Sequence, residues 1–582
     1  MSKSDFYLLT LITVLCTCTA NAFGKIRIDD LKPTGHDGVS GAQQWCAHMQ
    51  GATAGPIVFM NGIALPAHRV KPFGNALCFE LAADAVSGPL WLRDEGHTSN
   101  AVWLSTRQTW VLAANQGRRV EIADYVVTDL ELVSLVLSEK ADGLTQAKRV
   151  AQQHDLEIVG AIPPLNVYQV RLPVTSLVAR TDLLSQLRRD PAVMGVVVED
   201  DNLEMPQNPE RMTEPPDDEG WEANRLEQAV TAYAQIARGS CQRFKPANVV
   251  IGVIEKGVNF ESVDFRGLAQ PCPGIGTCLF ARHSNAANAH GSIVTGILAA
   301  RLYQQGNLGF LSRLGANGGR FDIILDRGAS SGVTARIAAS VNLVEDGARV
   351  LNWSWGVHLA GTFNLRGEPV ETNVRSSEAM EGYALLLERF FDWLARHHPT
   401  VVVVNSAGNS GSTTDFHMPA SLLSDQLVVV GAHQRTRRSA NVAEPHFAEP
   451  RQSSNIGPRV DISAAACPRP PLSTLPKSGR GGGCGTSYAA ALVTGVVAAI
   501  ISINPELTPY QIKQLLRRSA LPMAARPDQA VRIGYTLPIT VVGGADEGGD
   551  ATKEFARLDM YQAVMLALKS NAAIDACCDD PE

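Results

Sequence analysis

The sequence predicts an α/β protein in which helices cover both faces of a mostly parallel sheet, preceded by a ferredoxin-like α+β unit and a small β-sandwich-like unit. In the C-terminal half, apolar runs of strand length alternate with helical stretches, which is typical of parallel strands buried on both faces. The N-terminal half has short strand patterns separated by turn residues. At 582 residues the chain has room for three or four domains of roughly 150 residues each.

Composition and charge exclude several classes of protein. Hydrophobic residues make up 45% of the chain and charged residues 19%, which excludes a disordered or fibrous protein. The formal net charge is −7, so no overall basic field attracts nucleic acid or an anionic membrane. We therefore predict no nucleic-acid partner.

The first 22 residues have the pattern of an export signal. Lys3 precedes an apolar stretch at residues 6–19, and Ala20-Asn21-Ala22 is an A-x-A cleavage site. A membrane anchor is the alternative, but the apolar stretch is shorter than the ~20 residues that a spanning helix needs. We expect a secreted or periplasmic protein with no membrane span in the mature chain.

Cysteine usage fits an oxidising compartment. The pairs Cys46/Cys78, Cys272/Cys278 and Cys467/Cys484 are plausible disulfides, although sequence alone does not fix their connectivity. Zinc is the alternative, but CxxC and HxxxH spacings do not accompany these pairs. The acidic residues 546–550 lack the spaced ligands of a calcium loop, so we predict no metal in the site and leave structural calcium open.

Residues 23–123 form the first predicted domain. Short apolar runs at residues 56–60, 77–81, 89–92 and 109–112 are separated by Gly, Asn and Asp turn signals. Short strands at such spacing indicate a small β-sandwich. A binding module and an elongated part of a pro-segment fit this pattern equally well.

Residues 124–205 form the second predicted domain. The predicted order is β-α-β-β-α-β, the arrangement of a ferredoxin-like domain, with strands at 131–137, around 158–172 and at 193–198, and helices at 143–154 and 176–189. A linker at residues 206–225 follows, in which Pro206, Pro209, Pro215 and Pro216 stand among acidic residues. Such a segment is predicted to be exposed and open to proteolysis.

Residues 226–575 form the third predicted domain. Its apolar strand patterns lie at residues 249–254, 350–352, 401–404 and 426–431, with helices between them. The apolar run 487–503 could be mistaken for a membrane helix, but it contains Ser487 and Thr494 and leads directly into Asn504-Pro505. We predict a central buried helix there.

Four short segments of this domain carry candidate chemical groups. Glu255 ends a buried strand and precedes a glycine turn, the place where α/β sheets position functional groups. His290 opens a helix, Asn409 follows the strand at residues 401–404, and Ser487 lies in the first turn of the apolar helix. A serine nucleophile needs a base, a carboxylate that orients the base, and donors for the oxyanion. These four segments supply all of these parts.

In this order the segments resemble the motifs of the subtilisin-like serine peptidases, the subtilases. That family has strand-Asp-x-Gly, His-Gly-x-x-Val-x-Gly, Ala-Gly-Asn and Gly-Thr-Ser-x-Ala-Ala, and this chain has Glu255-Lys-Gly, His290-Gly-Ser-Ile-Val-Thr-Gly, Ala-Gly-Asn409 and Gly-Thr-Ser487-Tyr-Ala-Ala. Each motif alone is weak, but four in order on the expected elements are specific. The resemblance covers roughly residues 248–568.

The resemblance implies a role for each group. Ser487 would be the nucleophile, His290 the general base and then acid, and Glu255 the orienting carboxylate, with Asn409 as an oxyanion donor. Residues 352–356 look like the family's edge strand that pairs with the substrate, which makes Ser354, Trp355 and Gly356 the candidate substrate-binding residues. The substrates would be peptides or proteins, and the chemistry would require no cofactor.

The resemblance also implies that residues 124–205 are an inhibitory propeptide. We expect it to act as an intramolecular inhibitor and to be removed by self-cleavage between about residues 200 and 223. The chain departs from the family at Glu255, where subtilases have aspartate. Because Asp and Glu exchange in this role in other hydrolases, we predict an active endopeptidase. The alternatives are a catalytically impaired subtilase fold that binds peptides or partners, and an adhesion protein working through residues 23–122.

Overall fold

A computed structural model describes residues 26–36, 43–51, 55–107, 111, 117–123, 126–140, 142–202, 221–237, 245–265, 267–268, 276–301, 309–330, 332–467, 483–524, 540–541 and 556–571. The predicted signal peptide, most of the predicted linker, the acidic stretch at 546–550 and Cys272 lie outside the described residues.

The described residues contain strands in three regions of the chain. In the N-terminal region these are β1 (Arg27–His36), β2 (Gln43–Gln50), β3 (Ile57–Met60), β4 (Ile63–Ala64), β5 (Val70–Phe73), β6 (Ala76–Leu81), β7 (Gly88–Asp94), β8 (His97–Thr98) and β9 (Val102–Leu104). The next region has β10 (Arg119–Ala123), β11 (Val126–Leu137), β12 (Glu157–Ile162), β13 (Val167–Arg171) and β14 (Val193–Asn202). The third has β15 (Asn248–Ile254), β16 (Gly276–Arg282), β17 (Arg320–Asp326), β18 (Val350–Trp353), β19 (Val357–Leu359), β20 (Val374–Arg375), β21 (Val402–Ser406), β22 (His417–Met418), β23 (Leu422–Leu423), β24 (Leu427–Arg435), β25 (Ala448–Pro450), β26 (Ile462–Ala465), β27 (Leu521–Pro522), β28 (Thr540–Val541) and β29 (Ala556–Arg557).

The helices follow the same division. Two belong to the second region, α1 (Gly143–Gln153) and α2 (Leu177–Leu187). The others are α3 (Leu226–Ala237), α4 (Ala289–Ala299), α5 (Phe310–Gly315), α6 (Val333–Glu345), α7 (Ser377–His397), α8 (Thr486–Ile503), α9 (Pro509–Ser519) and α10 (Met560–Lys569). Polar side chains cap several of them, as at α2, where Ser176 accepts a hydrogen bond from the N–H of Ala179.

The central sheet has the strand order β29-β26-β24-β21-β18-β15-β17-β16, and neighbouring strands in this order are parallel. One face packs against α3, α4, α5, α8, α9 and α10, and the other against α6 and α7. Alternate residues of one strand enter the two cores; in β15, Val253 belongs to the first and Ile254 to the second. The predicted α/β fold with helices on both faces is therefore confirmed.

Helix α8 is the central helix of the first face. By length and composition it could cross a membrane, but all of it is buried inside the protein. It lies close to its neighbours, since a Cβ added at Gly495 would come within 3.2 Å of the Phe310 ring. Such a helix is the core of an α/β domain, as the sequence predicts.

Residues 126–202 form the ferredoxin-like unit. Its strands have the order β12-β13-β11-β14, and β10 pairs with the first part of β11. The unit does not stand apart, because its apolar residues share one core with α6 and α7. At one contact, a Cβ added at Gly382 of α7 would come within 2.9 Å of the Val197 backbone. The unit thus covers the helices on the second face of the central sheet.

The N-terminal region forms a β-sandwich. The sheet β1-β2-β6-β5 faces the strands β4-β3-β7-β9 across an apolar core, in which Trp45, Phe79 and Leu90 are almost fully buried. The second of these sheets is continuous with the central sheet, because β9 pairs in parallel with β16. Nothing in the local sequence of β9 marks this partner strand, so the sequence predicted the sandwich but not the junction.

Candidate active site

The candidate groups lie at the carboxyl edge of the central sheet. Glu255 follows β15, Asn409 follows β21, His290 is in the first turn of α4, and Ser487 is in the first turn of α8. Helices α4 and α8 pack on the same face of the sheet. Parallel strands end at one edge, which is how groups far apart in sequence come to a common place.

Glu255 and His290 are in direct contact. Nδ1 of His290 lies 3.0 Å from Oε2 of Glu255, and 3% of Glu255 is exposed. Burial lowers the pKa of His290, and nearby Lys256 lowers it further, but the charge and hydrogen bond of Glu255 outweigh both, so the pKa is raised overall. Because Nδ1 is held by the carboxylate, Nε2 is the nitrogen that can exchange a proton with a serine.

Two glycines allow this approach. Gly257 has φ +142°, and a Cβ there would lie 1.8 Å from the carbonyl oxygen of Ala286. A Cβ at Gly291 would lie 2.1 Å from the carbonyl oxygen of Gly257 and 3.2 Å from Cβ of Glu255. The first turn of α4 therefore lies directly on the segment that carries the carboxylate. This close packing places His290 within hydrogen-bonding distance of Glu255.

Ser487 is buried at the start of α8. The cap of this helix is Gly485, and the adjacent residue, Tyr488, places its ring 5.7 Å from the ring of His290. The Ser487 hydroxyl donates a 3.4 Å hydrogen bond to the carbonyl oxygen of Ser354. A helix N-terminus has free N–H groups and a positive end of its dipole, and both stabilise negative charge that develops beside Ser487.

Asn409 is oriented by the residue before Ser487. Its Oδ1 accepts the backbone N–H of Thr486 at 2.8 Å and the Thr486 hydroxyl at 2.9 Å. With Oδ1 occupied twice, the Nδ2 group is the part of this exposed side chain that can donate to a ligand. Sequence reasoning gave Thr486 no role; its place in the Gly-Thr-Ser motif was the available signal.

The segment with Ser354, Trp355 and Gly356 differs from the prediction of an edge strand. β18 is an inner strand between β15 and β21, and its backbone pairing ends at Trp353. The Trp355 side chain packs in the core, 5.1 Å from the ring of Trp353 and under Arg336. The segment does contact the candidate nucleophile, because Ser354 Oγ also donates to the Ser487 carbonyl at 3.0 Å.

Disulfides link two of the predicted cysteine pairs, Cys46–Cys78 and Cys467–Cys484. Cys278 is also disulfide-bonded. In the part of the chain that the structure describes, no group of three or more His, Cys, Asp or Glu side chains is placed to hold a metal ion.

The parallel sheet, with a carboxylate, an imidazole and a serine gathered at its carboxyl edge, defines an α/β protein of the serine-peptidase type. The family model described as "Subtilase family" matches residues 247–552. The chain therefore belongs to the subtilase family.

Two curated relatives are similar over about half of the chain. Fervidolysin of Fervidobacterium pennivorans is 27% identical over 304 residues, which are 47% of this chain and 37% of fervidolysin. Subtilisin DY of Bacillus licheniformis is 24% identical over 283 residues, 48% of this chain and 86% of that protein. The chain thus spans little more than a third of fervidolysin but most of subtilisin DY.

Solved structures of subtilases also resemble the chain. The crystal structure of fervidolysin, described as a keratinolytic enzyme related to subtilisin, has a TM-score of 0.45 and 17% identity, and covers 79% of this chain and 65% of that chain. The epidermin leader peptide processing serine protease of Staphylococcus aureus has a TM-score of 0.45 and 17% identity. The match covers 76% of this chain and 99% of that chain.

Proposed function

We propose that the protein is an exported serine endopeptidase that hydrolyses peptide bonds with Ser487, His290 and Glu255. The observation that carries this proposal is the 3.0 Å contact between His290 and Glu255. This contact lies beside α8, the helix whose first turn carries Ser487. The buried carboxylate would hold the imidazole with Nε2 directed to the serine and stabilise the imidazolium that forms.

In the proposed reaction the Ser487 hydroxyl turns from the Ser354 carbonyl to Nε2 of His290. As Oγ forms a bond to the scissile carbonyl carbon, its proton passes to His290, and the oxyanion is held by Asn409 Nδ2 and the backbone N–H of Ser487. The C–N bond then breaks as His290 gives the proton to the leaving amine. Water, activated by the same imidazole, hydrolyses the acyl-enzyme. These steps require no cofactor.

We further propose that the ferredoxin-like unit is an inhibitory propeptide that packs on the catalytic domain and is separated from it in sequence by self-cleavage. The end of β14 carries two buried acids that cap helices of the second face. Glu199 accepts the N–H groups of Val333 and Thr334 at the start of α6 at 3.1 and 2.9 Å. Asp200 accepts the N–H of Ser376 at the start of α7 at 3.0 Å. Such contacts satisfy helix donors that would otherwise be unpaired.

The contacts on either side of the expected cut limit its position. Before it, Asn202 accepts a 2.7 Å hydrogen bond from Arg375. After it, Trp221 Nε1 donates to the Cys467 carbonyl at 2.8 Å and is buried. The fully buried Asn224 donates to the Leu558 carbonyl at 2.6 Å. We therefore place the cut within residues 203–220, narrower than the window predicted from sequence.

The proposed activity is tested by labelling with a serine-directed fluorophosphonate. We expect wild-type protein to be labelled and the Ser487→Ala and His290→Ala variants not to be. Ser439→Ala, which changes a serine that donates a hydrogen bond to Glu444 and has no role in the proposed reaction, should be labelled like wild type. Equal labelling of the wild type and the Ser487→Ala variant, or no labelling of either, would contradict the proposal.

Processing and export are tested by intact mass and N-terminal sequencing of secreted protein. We expect the wild type to contain a polypeptide that begins within residues 204–221, and the Ser487→Ala variant to be one uncut chain that begins at Phe23 and includes the ferredoxin-like unit. A Ser487→Ala variant that matures normally in the absence of other proteases would exclude self-cleavage. A precursor that begins at Met1 would exclude removal of the signal peptide.

A further inference from the structure

The inference concerns which peptides fit the proposed catalytic site, and it rests on the proposed function. A scissile carbonyl has to reach both Ser487 Oγ and Asn409 Nδ2. Ser487 contacts the segment at residues 354–356 through two hydrogen bonds, and Asn409 belongs to the loop that follows β21. In the proposed complex, the side chain of the residue that supplies this carbonyl enters the gap between the segment and the loop.

One imidazole closes this gap. A Cβ at Gly356 would lie 2.1 Å from Cε1 and 2.4 Å from Nε2 of His417. From the opposite side, a Cβ at Gly408 would lie 2.9 Å from the same Nε2. The Cε1–Nε2 edge of His417 thus lies between the two walls and fills the space that side chains at Gly356 and Gly408 would need.

A second imidazole holds the first in place. His358 lies opposite His417 in the β19–β22 pair, and the two ring centroids are 4.4 Å apart. His358 Nε2 is 3.0 Å from the hydroxyl of Ser410, the residue after Asn409. His358 and His417 are 2% and 3% exposed, so the pair cannot swing into solvent without opening the core.

Both rings are neutral at the pH where a serine peptidase works. Burial lowers the pKa of His358 to about 4. Burial, with the neighbouring His358, lowers the pKa of His417 well below its usual range. A large substrate side chain would therefore have to displace an uncharged, packed ring, whereas the methyl group of alanine needs no displacement.

We propose that His417, supported by His358, forms the floor of the pocket for the side chain before the scissile bond and restricts substrates to peptides with Gly, Ala or Ser at that position. Differences of a few methylene groups in such a pocket change kcat/KM by roughly ten- to a few-hundredfold. Because the His417 ring would cause this preference for small side chains, removing the ring should weaken the preference.

The test compares kcat/KM for chromogenic peptides that differ only in having Ala, Leu or Phe before the cleaved bond. We expect wild type to prefer Ala over Phe by at least about tenfold, and His417→Ala to reduce or reverse this ratio. His446→Ala, at an exposed histidine, should keep the wild-type ratio.

The outcomes separate this inference from the proposed function. If wild type cleaves the Phe and Ala peptides with equal kcat/KM, the small pocket is wrong but the proposed endopeptidase activity stands. This comparison uses wild type alone, so it holds even if His417→Ala does not fold. If a folded His417→Ala variant keeps the wild-type ratio, His417 is not the floor. If fluorophosphonate does not label wild type and no peptide is cleaved, the proposed function fails and takes the inference with it.

Discussion

Thr486 donates two hydrogen bonds, from its backbone N–H and from its hydroxyl, to the single atom Oδ1 of Asn409. The residue before the candidate nucleophile thus sets the direction of the candidate oxyanion donor. The Thr486 hydroxyl also accepts the N–H of Gly408 at 3.2 Å. One buried hydroxyl therefore connects the start of α8 with the loop after β21.

Replacing this hydroxyl should reduce turnover without weakening substrate binding. Thr486→Val keeps the shape and the backbone N–H but removes one of the two bonds to Asn409, and we expect kcat to fall on the order of tenfold at unchanged KM. Thr486→Ser should retain most of the kcat. A rise in KM with unchanged kcat for the valine variant would contradict this positioning role; steady-state kinetics distinguishes the two.

The carboxylate at Glu255 should not be replaceable by the shorter aspartate. Glu255→Asp withdraws the carboxylate by one methylene, and a misplacement of about 1 Å costs on the order of a hundredfold in rate. Glu255→Gln removes the charge, and we expect a loss of about ten-thousandfold. Both are measured as kcat/KM on a peptide that wild type cleaves. An aspartate variant faster than wild type would mean that Glu255 impairs the enzyme.

The acid limb of the pH profile should report His290. Its pKa is raised above the usual 6.5. As the pH falls, the imidazole that acts as base is therefore protonated, and activity falls, at a higher pH than for an ordinary histidine. Lys256 is exposed and lowers this pKa. Lys256→Gln should therefore move the acid limb of kcat/KM to higher pH, and Lys256→Arg should leave it in place. A shift to lower pH for the glutamine variant would exclude His290 as the titrating base.

Removing the Glu199 carboxylate should destabilise the precursor. In the Ser487→Ala background, which prevents self-cleavage, Glu199→Ala leaves two N–H groups at the start of α6 without an acceptor, and we expect a loss of about 1–3 kcal/mol. Glu157→Ala, at an exposed side chain, should change stability by about 0.5 kcal/mol or less. Calorimetric unfolding measures both. Equal transition temperatures for the two variants would contradict a role for Glu199 in docking.

The two described disulfides should differ in their effect on activity. Cys484 precedes Gly485, the cap of the helix that carries Ser487, whereas Cys46–Cys78 joins two strands of the β-sandwich. We expect the Cys467→Ser/Cys484→Ser variant to lose about 2–4 kcal/mol of stability and most of its kcat. The Cys46→Ser/Cys78→Ser variant should lose stability but keep its kcat when folded. Peptide hydrolysis well below each transition temperature separates the two effects.

Several elements could be predicted closely because a single physical property decides them. Strands buried on both faces must be apolar throughout, and the runs predicted at 249–254 and 401–404 appear as β15 and β21. Helix α8 was evident from its uninterrupted apolar sequence. The helices of the ferredoxin-like unit also lie within two residues of the predicted bounds.

Other features depend on partners that are distant in sequence. The sequence predicts the last strand of the ferredoxin-like unit at residues 193–198, but β14 continues to Asn202. Glu199 and Asp200 are buried there as caps of helices more than a hundred residues away. Likewise Trp355 was placed beside the substrate, although its ring is enclosed by the core. No local pattern reveals such contacts.

The parallel pairing of β9 with β16 limits what a single cut can release. Trp103 of β9 also donates from Nε1 to the buried carboxylate of Asp346 at 3.1 Å. A chain broken within residues 203–220 would consist of two polypeptides, but β9 of the shorter piece would still be paired with the edge of the longer piece's main sheet. Such a protein would give two bands on a denaturing gel and one particle in gel filtration, and release of the ferredoxin-like unit would require a second break upstream of β11.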